Sequence, residues 1–238
     1  MKKIFSFTFK LIVILLLFLI YLKVSTPVKQ EKNILTKEEK YINLSKVSIS
    51  VQVDYLKKYL GKPVSMSTIK DKNQKEYIFV DPDYYVMLTT NLDNSVLSYV
   101  ITTRSKNFNP ILRIRGIKVQ LGKSTFYEKG VKPDDCESHL GNTAPSYYFE
   151  IYLGDNQSSY QSYLFGYNDA GLGDIGIVWA SQPNESEIKK NNFKLTEGMK
   201  CRLPSDQDRK KYTINTFGVG SLDTLSIGVN RRLIERVN

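Results

Sequence analysis

The sequence predicts an α+β fold, predominantly antiparallel β, carried behind an N-terminal transmembrane helix. Three observations lead there. Ile4 to Leu22 is an almost unbroken apolar run behind Met1-Lys2-Lys3. Beyond position 46 the chain breaks into short segments rich in Tyr, Val and Ile, separated by turn residues. One early segment, 51–60, has helical rather than alternating spacing.

The apolar run comes first. Leu11 to Leu22 holds twelve residues without a charge or a helix breaker. At about 1.5 Å per residue they span roughly 18 Å, short of a hydrocarbon core of about 30 Å. Including Ile4 to Lys10 extends the run to nineteen residues, roughly 28 Å. Lys10 lies near the amino-terminal end, where its stem can reach the headgroups. A cleaved signal peptide is the competing reading. Cleavage needs small residues, and the nearest pair here is Val24 and Thr26, ahead of Pro27. No cysteine precedes Cys136, so lipoprotein attachment has no site. Lys2, Lys3 and Lys10 favour an inside amino terminus. Lys23, Lys29 and Lys32 argue the other way, softened by Glu31. The expectation is a single-pass signal-anchor over 1–22 in the inner (cytoplasmic) membrane, contacting lipid through residues 4–22, with the C-terminal domain outside.

Residues 23–46 are polar, charged and poor in aromatics. They read as a stalk, helical in part over Thr36 to Tyr41, where Thr36 and Glu39 match a capping box. The exported β-rich domain is expected over 47–238. Val51 to Leu60 forms a helix, stopped by Gly61 at its end and Pro63 beyond. Strands follow at Glu76 to Val80, Tyr84 to Thr90 and Val96 to Thr103. Asp81-Pro82-Asp83 and Asn91 to Asn94 are the turns between them. Ile111 to Leu121 starts as a strand, and Ser124 to Thr143 is irregular. Strands return at Tyr147 to Leu153, Ser159 to Tyr167 and Ile175 to Ala180. A closing β region covers Tyr212 to Phe217 and Thr224 to Val229.

The order suggests two related α/β-hairpin units, 47–110 and 111–238. Tyr59-Leu-Gly-Lys62 and Gln120-Leu-Gly-Lys123 each precede aromatic strands, with Gly61 and Gly122 61 positions apart. The shared identity is Leu-Gly-Lys alone, so coincidence also fits.

Charge narrows the function classes. The net charge is +10, but residues 1–46 hold nine Lys/Arg against three Asp/Glu. Residues 47–184 hold fourteen of each, and 185–238 hold eleven against seven. Much of the excess therefore flanks the membrane run, where lysines meet anionic headgroups. The middle of the domain is neutral, and no nucleic-acid face is expected.

Candidate chemistry is sparse. His139 is the only imidazole, with Asp134, Asp135 and Glu137 beside it in sequence. Carboxylates can orient a catalytic histidine, so this is the one hydrolase-like spot. Gly171-Leu-Gly173-Asp174 lacks the Lys-Ser/Thr of a phosphate loop and reads as a tight β turn. Two cysteines with one histidine make no metal cluster. In an exported domain Cys136 and Cys201 are candidates to pair, at about 4 kcal/mol in the chain-entropy view. No catalytic residue, cofactor or metal is expected.

Sixteen tyrosines are the strongest surface clue, since tyrosine joins apolar area to a polar tip. Strand alternation separates Tyr147, Phe149 and Ile151 from Tyr148, Glu150 and Tyr152. The first set is more apolar and is expected inward. Tyr148, Glu150 and Tyr152 are then the candidate interaction surface.

Three segments carry a resemblance: Tyr55-Leu-Lys-Lys-Tyr-Leu-Gly-Lys-Pro63, Leu121-Gly-Lys-Ser-Thr-Phe126, and Tyr148-Phe-Glu-Ile-Tyr152 followed by 156–168. Together they resemble an uncharacterised bacterial family of small single-pass membrane-anchored proteins with an exported domain, an ETEC-type domain of unknown function. That resemblance implies topology and size and no catalytic residue. The first unit also resembles the small envelope lipoprotein adaptors of outer-membrane assembly, without their lipidated cysteine. The expected function is a membrane-anchored extracytoplasmic interaction or accessory module with a protein partner in the envelope. A membrane-anchored hydrolase and a sensor or effector of a defence or stress system are the rivals.

Overall fold

The structure is a computed structural model of the chain, and it describes residues 35–114, 117–129, 133–139, 147–153, 161–168 and 205–225. Two compact units divide the chain, Met1–Thr36 and Lys37–Asn238. The expected membrane run lies outside the described residues. Among the described residues no helix is long and apolar enough to cross a membrane.

The second unit opens with helices α1 (Lys37–Ser45) and α2 (Val53–Leu60). Strands β1 (Ser65–Ile69), β2 (Gln74–Asp81), β3 (Tyr84–Thr90) and β4 (Val96–Thr103) follow. A hairpin of β5 (Ile111–Ile114) and β6 (Ile117–Gln120) comes next. Then come β7 (Asp135–His139), β8 (Tyr147–Leu153), β9 (Ser162–Asn168), helix α3 (Asp206–Lys211), β10 (Thr216–Gly220) and helix α4 (Leu222–Leu225).

Eight strands form one sheet in the order β1-β2-β3-β4-β10-β9-β8-β7, each pair antiparallel. Two four-strand meanders therefore meet at a seam between β4 and β10. Tyr99 stands opposite Val219 there, and Ile101 opposite Phe217. The hydroxyls of Thr102 and Thr216 meet across the seam at 3.0 Å. Each Leu-Gly-Lys tripeptide precedes one meander. Gly61 and Gly122 both take positive φ, +81° and +75°, a conformation open to glycine at little cost.

Local chemistry explains the turns. The Asp81 carboxylate accepts from the Asp83 N–H at 2.9 Å, an Asx turn around Pro82. The Asn91 side chain accepts from the Ser95 N–H at 2.9 Å, and Asn94 sits at φ +61°. Gly61 ends α2 by donating to the Lys57 carbonyl.

Both faces of the sheet are buried. One carries Tyr77, Phe79, Val86, Leu88, Tyr99 and Ile101, continued by Phe217, Phe165, Tyr148 and Tyr152. Leu44 of α1, Val53 and Leu56 of α2, Leu112 and Val119 of the hairpin, and Phe126 pack on it. The other face carries Ile78, Tyr85, Met87, Val100, Phe149, Ile151 and Leu164, packed with Leu225 of α4.

Several expectations change. Helix α1 lies inside the compact unit, although 23–46 reads as a stalk. The Lys40 ammonium is buried between Asp81 and Asp83, 2.6 Å from each carboxylate, and Leu44 is buried. The Cys136 to His139 stretch, expected to be irregular, is strand β7, pairing Cys136 with Glu150 and His139 with Tyr147. Strand β1 was not expected either. Among the described residues the last strand is Thr216–Gly220 rather than Tyr212 to Phe217; Thr224 and Leu225 lie in α4, and the rest of the expected strand to Val229 falls outside the described residues. The expected strand Ile175 to Ala180 and most of the turn before it fall outside the described residues.

A candidate binding groove

The seam forms the floor of a groove. Tyr99 and Ile101 of β4 and Val219 of β10 line its base. One wall is α1 and the segment after it, through Leu44, Val47 and Ile49; the other is Pro110 to Arg113 of the hairpin. The cavity measures about 520 Å³, within the range of small-ligand and peptide pockets.

The walls are held by specific contacts. Asn109 donates its N–H to the Tyr41 hydroxyl at 3.3 Å, and the Tyr41 and Phe108 rings lie 4.9 Å apart. Asn109 also donates its side-chain amide to the Leu121 carbonyl at 3.1 Å. These tie α1 to the base of the hairpin. The lining is mostly aliphatic, with polar groups at Ser45, Ser48, Gln161 and Arg113. Ile111 and Arg113 are exposed at the mouth. Tyr99 is buried, and burial, with the nearby Tyr163, pushes its hydroxyl far above the ordinary range. It stays neutral.

The Tyr148, Glu150, Tyr152 row is not a surface. The three side chains are 2%, 0% and 7% exposed. Alternation does put them on one face of β8, but that face is covered. Glu150 accepts from the Tyr148 hydroxyl at 2.7 Å and from the Tyr152 hydroxyl. Arg209 of α3 donates to both carboxylate oxygens through Nε and Nη2, each at 3.0 Å. Its Nη2 also reaches the Phe126 carbonyl at 3.2 Å and the Tyr152 hydroxyl at 3.1 Å. Lys210 lies 4.3 Å from the Tyr127 ring centre and helps seat α3.

Burial alone would lower the Arg209 pKa; the hydrogen bonds and charge of Glu150 outweigh it and hold it above the ordinary value. Burial, and then Glu150, push Tyr148 and Tyr152 far above the ordinary phenol range. The carboxylate is thus charge-paired and saturated with donors, which suits a structural pin and not a general base. Arg209 was missed because a basic six-residue helix at 206–211 carries no signal naming a partner 59 positions away.

At the hydrolase-like spot the side chains of Glu137 and His139 lie outside the described residues, and the two neighbouring carboxylates have main-chain partners. Asp134 accepts from the Leu153 N–H at 2.7 Å, and Asp135 from the Cys136 N–H at 2.8 Å. Both carboxylates cap main chain. Cys136 is buried and disulfide-bonded, so it offers no thiolate. Cys201 lies outside the described residues. Among the described residues no cluster of His, Cys, Asp and Glu could hold a metal ion.

No protein-family model matches the chain, and no curated protein matches it. Among solved structures, a cysteine-rich secretory protein from Staphylococcus aureus subsp. aureus Mu50 is similar at 11% identity and a TM-score of 0.35. The similarity covers 74% of this chain and 44% of that one. The chain thus spans less than half that protein's length, and the likeness carries no functional argument.

Proposed function

We propose that this chain is a membrane-anchored binding module that acts outside the cytoplasm and receives an apolar polypeptide segment of an envelope protein. The observation that carries this reading is the half-open aliphatic groove over the β4–β10 seam. An open trough suits a chain segment more than an enclosed small molecule. Exposed Ile111 keeps the lining apolar at the surface. Arg113 and Gln161 offer polar anchors that would fix register. The run 4–22 supports an anchor in the inner membrane, and the disulfide at Cys136 fits an oxidising compartment.

The experiment uses the full chain in its native membrane. Photo-crosslinking residues at Ser48 and Ile111, on opposite walls, should capture the same partner peptide. A probe at Lys58 on α2, away from the groove, should not. Ser48→Trp fills the mouth from an exposed position, so it should end capture from Ile111 without lowering the thermal midpoint. Capture that is equal from all three positions, or untouched by Ser48→Trp, overturns the groove as the site.

A further inference from the structure

The sheet ends in β1, three strands from the groove's floor strand β4. Among the described residues β1 pairs with β2 alone, from Ser65 opposite Ile78 to Ile69 opposite Gln74. Alternate residues of such a strand direct their N–H and C=O groups away from the sheet, where an incoming strand can meet them. Natural edges are commonly blocked by a lysine, a proline or a bulge within the strand. Ser65 to Ile69 contains no charge and no proline, and its register with β2 is unbroken.

The two faces of β1 differ. Met66 stands opposite Tyr77, which belongs to the face that α2 covers, yet Met66 is 65% exposed. Thr68 shares that face by alternation and is exposed as well. Val64, just ahead of the strand, adds an exposed apolar side chain at 51%. Ser65 and Ser67 take the other face, opposite Ile78 and Glu76. A strand laid beside β1 would meet Met66 on one face and serines on the other.

Charge selects the occupant. Residues 61–73 hold Lys62, Lys70 and Lys72 against Asp71 alone. All three lysines are exposed, and they stand beyond the two ends of β1. A second copy is a poor partner for this edge. Residues opposed in an antiparallel pair share a face. Two copies of β1 can then centre on Met66, which sets Lys62 of one against Lys70 of the other, or on Ser67, which sets Lys62 against Lys72. Like charges placed opposite destabilise a strand pair, and opposite charges stabilise it. We infer that the edge of β1 takes up, as an added strand, an extended segment of another protein that is acidic at both ends and apolar beside Met66. Main-chain hydrogen bonds supply affinity in this mode, and the flanking side chains supply selection.

The test uses the full chain in detergent and fluorescent peptides of alternating valine and threonine, ended by glutamates or by lysines. Anisotropy should show saturable binding of the glutamate-ended peptide and at least tenfold weaker binding of the lysine-ended one. Lys62→Glu combined with Lys70→Glu should reverse that preference without moving the thermal midpoint, since both positions are exposed. Methylating every second nitrogen of the glutamate-ended peptide should abolish binding in one phase and spare it in the other, because only alternate N–H groups face β1. Ser48→Trp, which fills the groove, should leave this binding unchanged, so the two surfaces are judged separately. Equal affinity for both peptides, tolerance of methylation in both phases, or loss of binding in Ser48→Trp overturns the assignment. So does a concentration-dependent self-association that Met66→Asp abolishes, which would make a second copy the occupant.

Discussion

Arg209 closes a bidentate ion pair on Glu150, Nε and Nη2 each 3.0 Å from a carboxylate oxygen, across 59 positions of sequence. It joins α3 to β8 and accounts for the burial of a row that alternation alone would leave exposed. The pair lies in the interior, so its energetics are those of a buried charge pair and not of a surface bridge.

Removing one partner should cost far more than removing both. Arg209→Met leaves Glu150 buried without its counter-charge and should lower unfolding stability by about 3–5 kcal/mol. The double variant Glu150→Gln with Arg209→Met should recover most of that loss. Urea unfolding of the four chains measures it. A double variant as unstable as Arg209→Met would show that the charge imbalance is not the cause.

Glu76 sets a pH dependence of stability. Its carboxyl is raised from 4.5 to about 7 in the folded chain. The groups facing it, Ser67, Thr89 and Ser98, do not titrate in this range. The folded state holds the proton more tightly, so the contribution is full below about pH 4.5 and lost as pH rises through about 7. The expected loss is about 3 kcal/mol across that window. Glu76→Gln should flatten this part of the stability profile. An unchanged slope in the variant would assign it to other groups.

Cys136 is disulfide-bonded, and the sequence holds one other cysteine, Cys201. The native chain should therefore show no free thiol when denatured without reductant. Reduction should lower stability by up to about 4 kcal/mol, as loss of a closed loop of this size implies. Labelling of both cysteines before reduction would refute the pairing.

Much of the fold was legible in local pattern. The expected strands Tyr84–Thr90, Val96–Thr103 and Tyr147–Leu153 coincide with β3, β4 and β8. Helix α2 and its stop at Gly61 were legible from spacing and turn chemistry. Two of the missed strands, β1 and β7, are the edges of the eight-stranded sheet among the described residues; β6, the return strand of the hairpin, was missed as well. An edge strand pairs on one side only and can be built largely from polar residues such as Ser65, Ser67 and Thr68 or Asp135, Glu137 and Ser138. Its apolar periodicity is correspondingly faint. The groove was not legible, because its floor joins Tyr99 to Val219 and its walls come from segments near 41–49 and 110–113.

The sequence by itself determined which residues share a strand face, where α2 ends and where the turns between β2, β3 and β4 lie. Those follow from backbone preferences and period, which act over a few neighbouring residues. Only the tertiary structure decided whether a face meets solvent. Tyr148, Glu150 and Tyr152 do share a face. Arg209 and Phe126 cover it, and nothing within β8 specifies that cover. Lys40 likewise reads as a solvated stalk charge until Asp81 and Asp83 are folded beneath it. Burial and charge pairing depend on groups brought together by chain closure, and local periodicity holds no record of which distant group arrives.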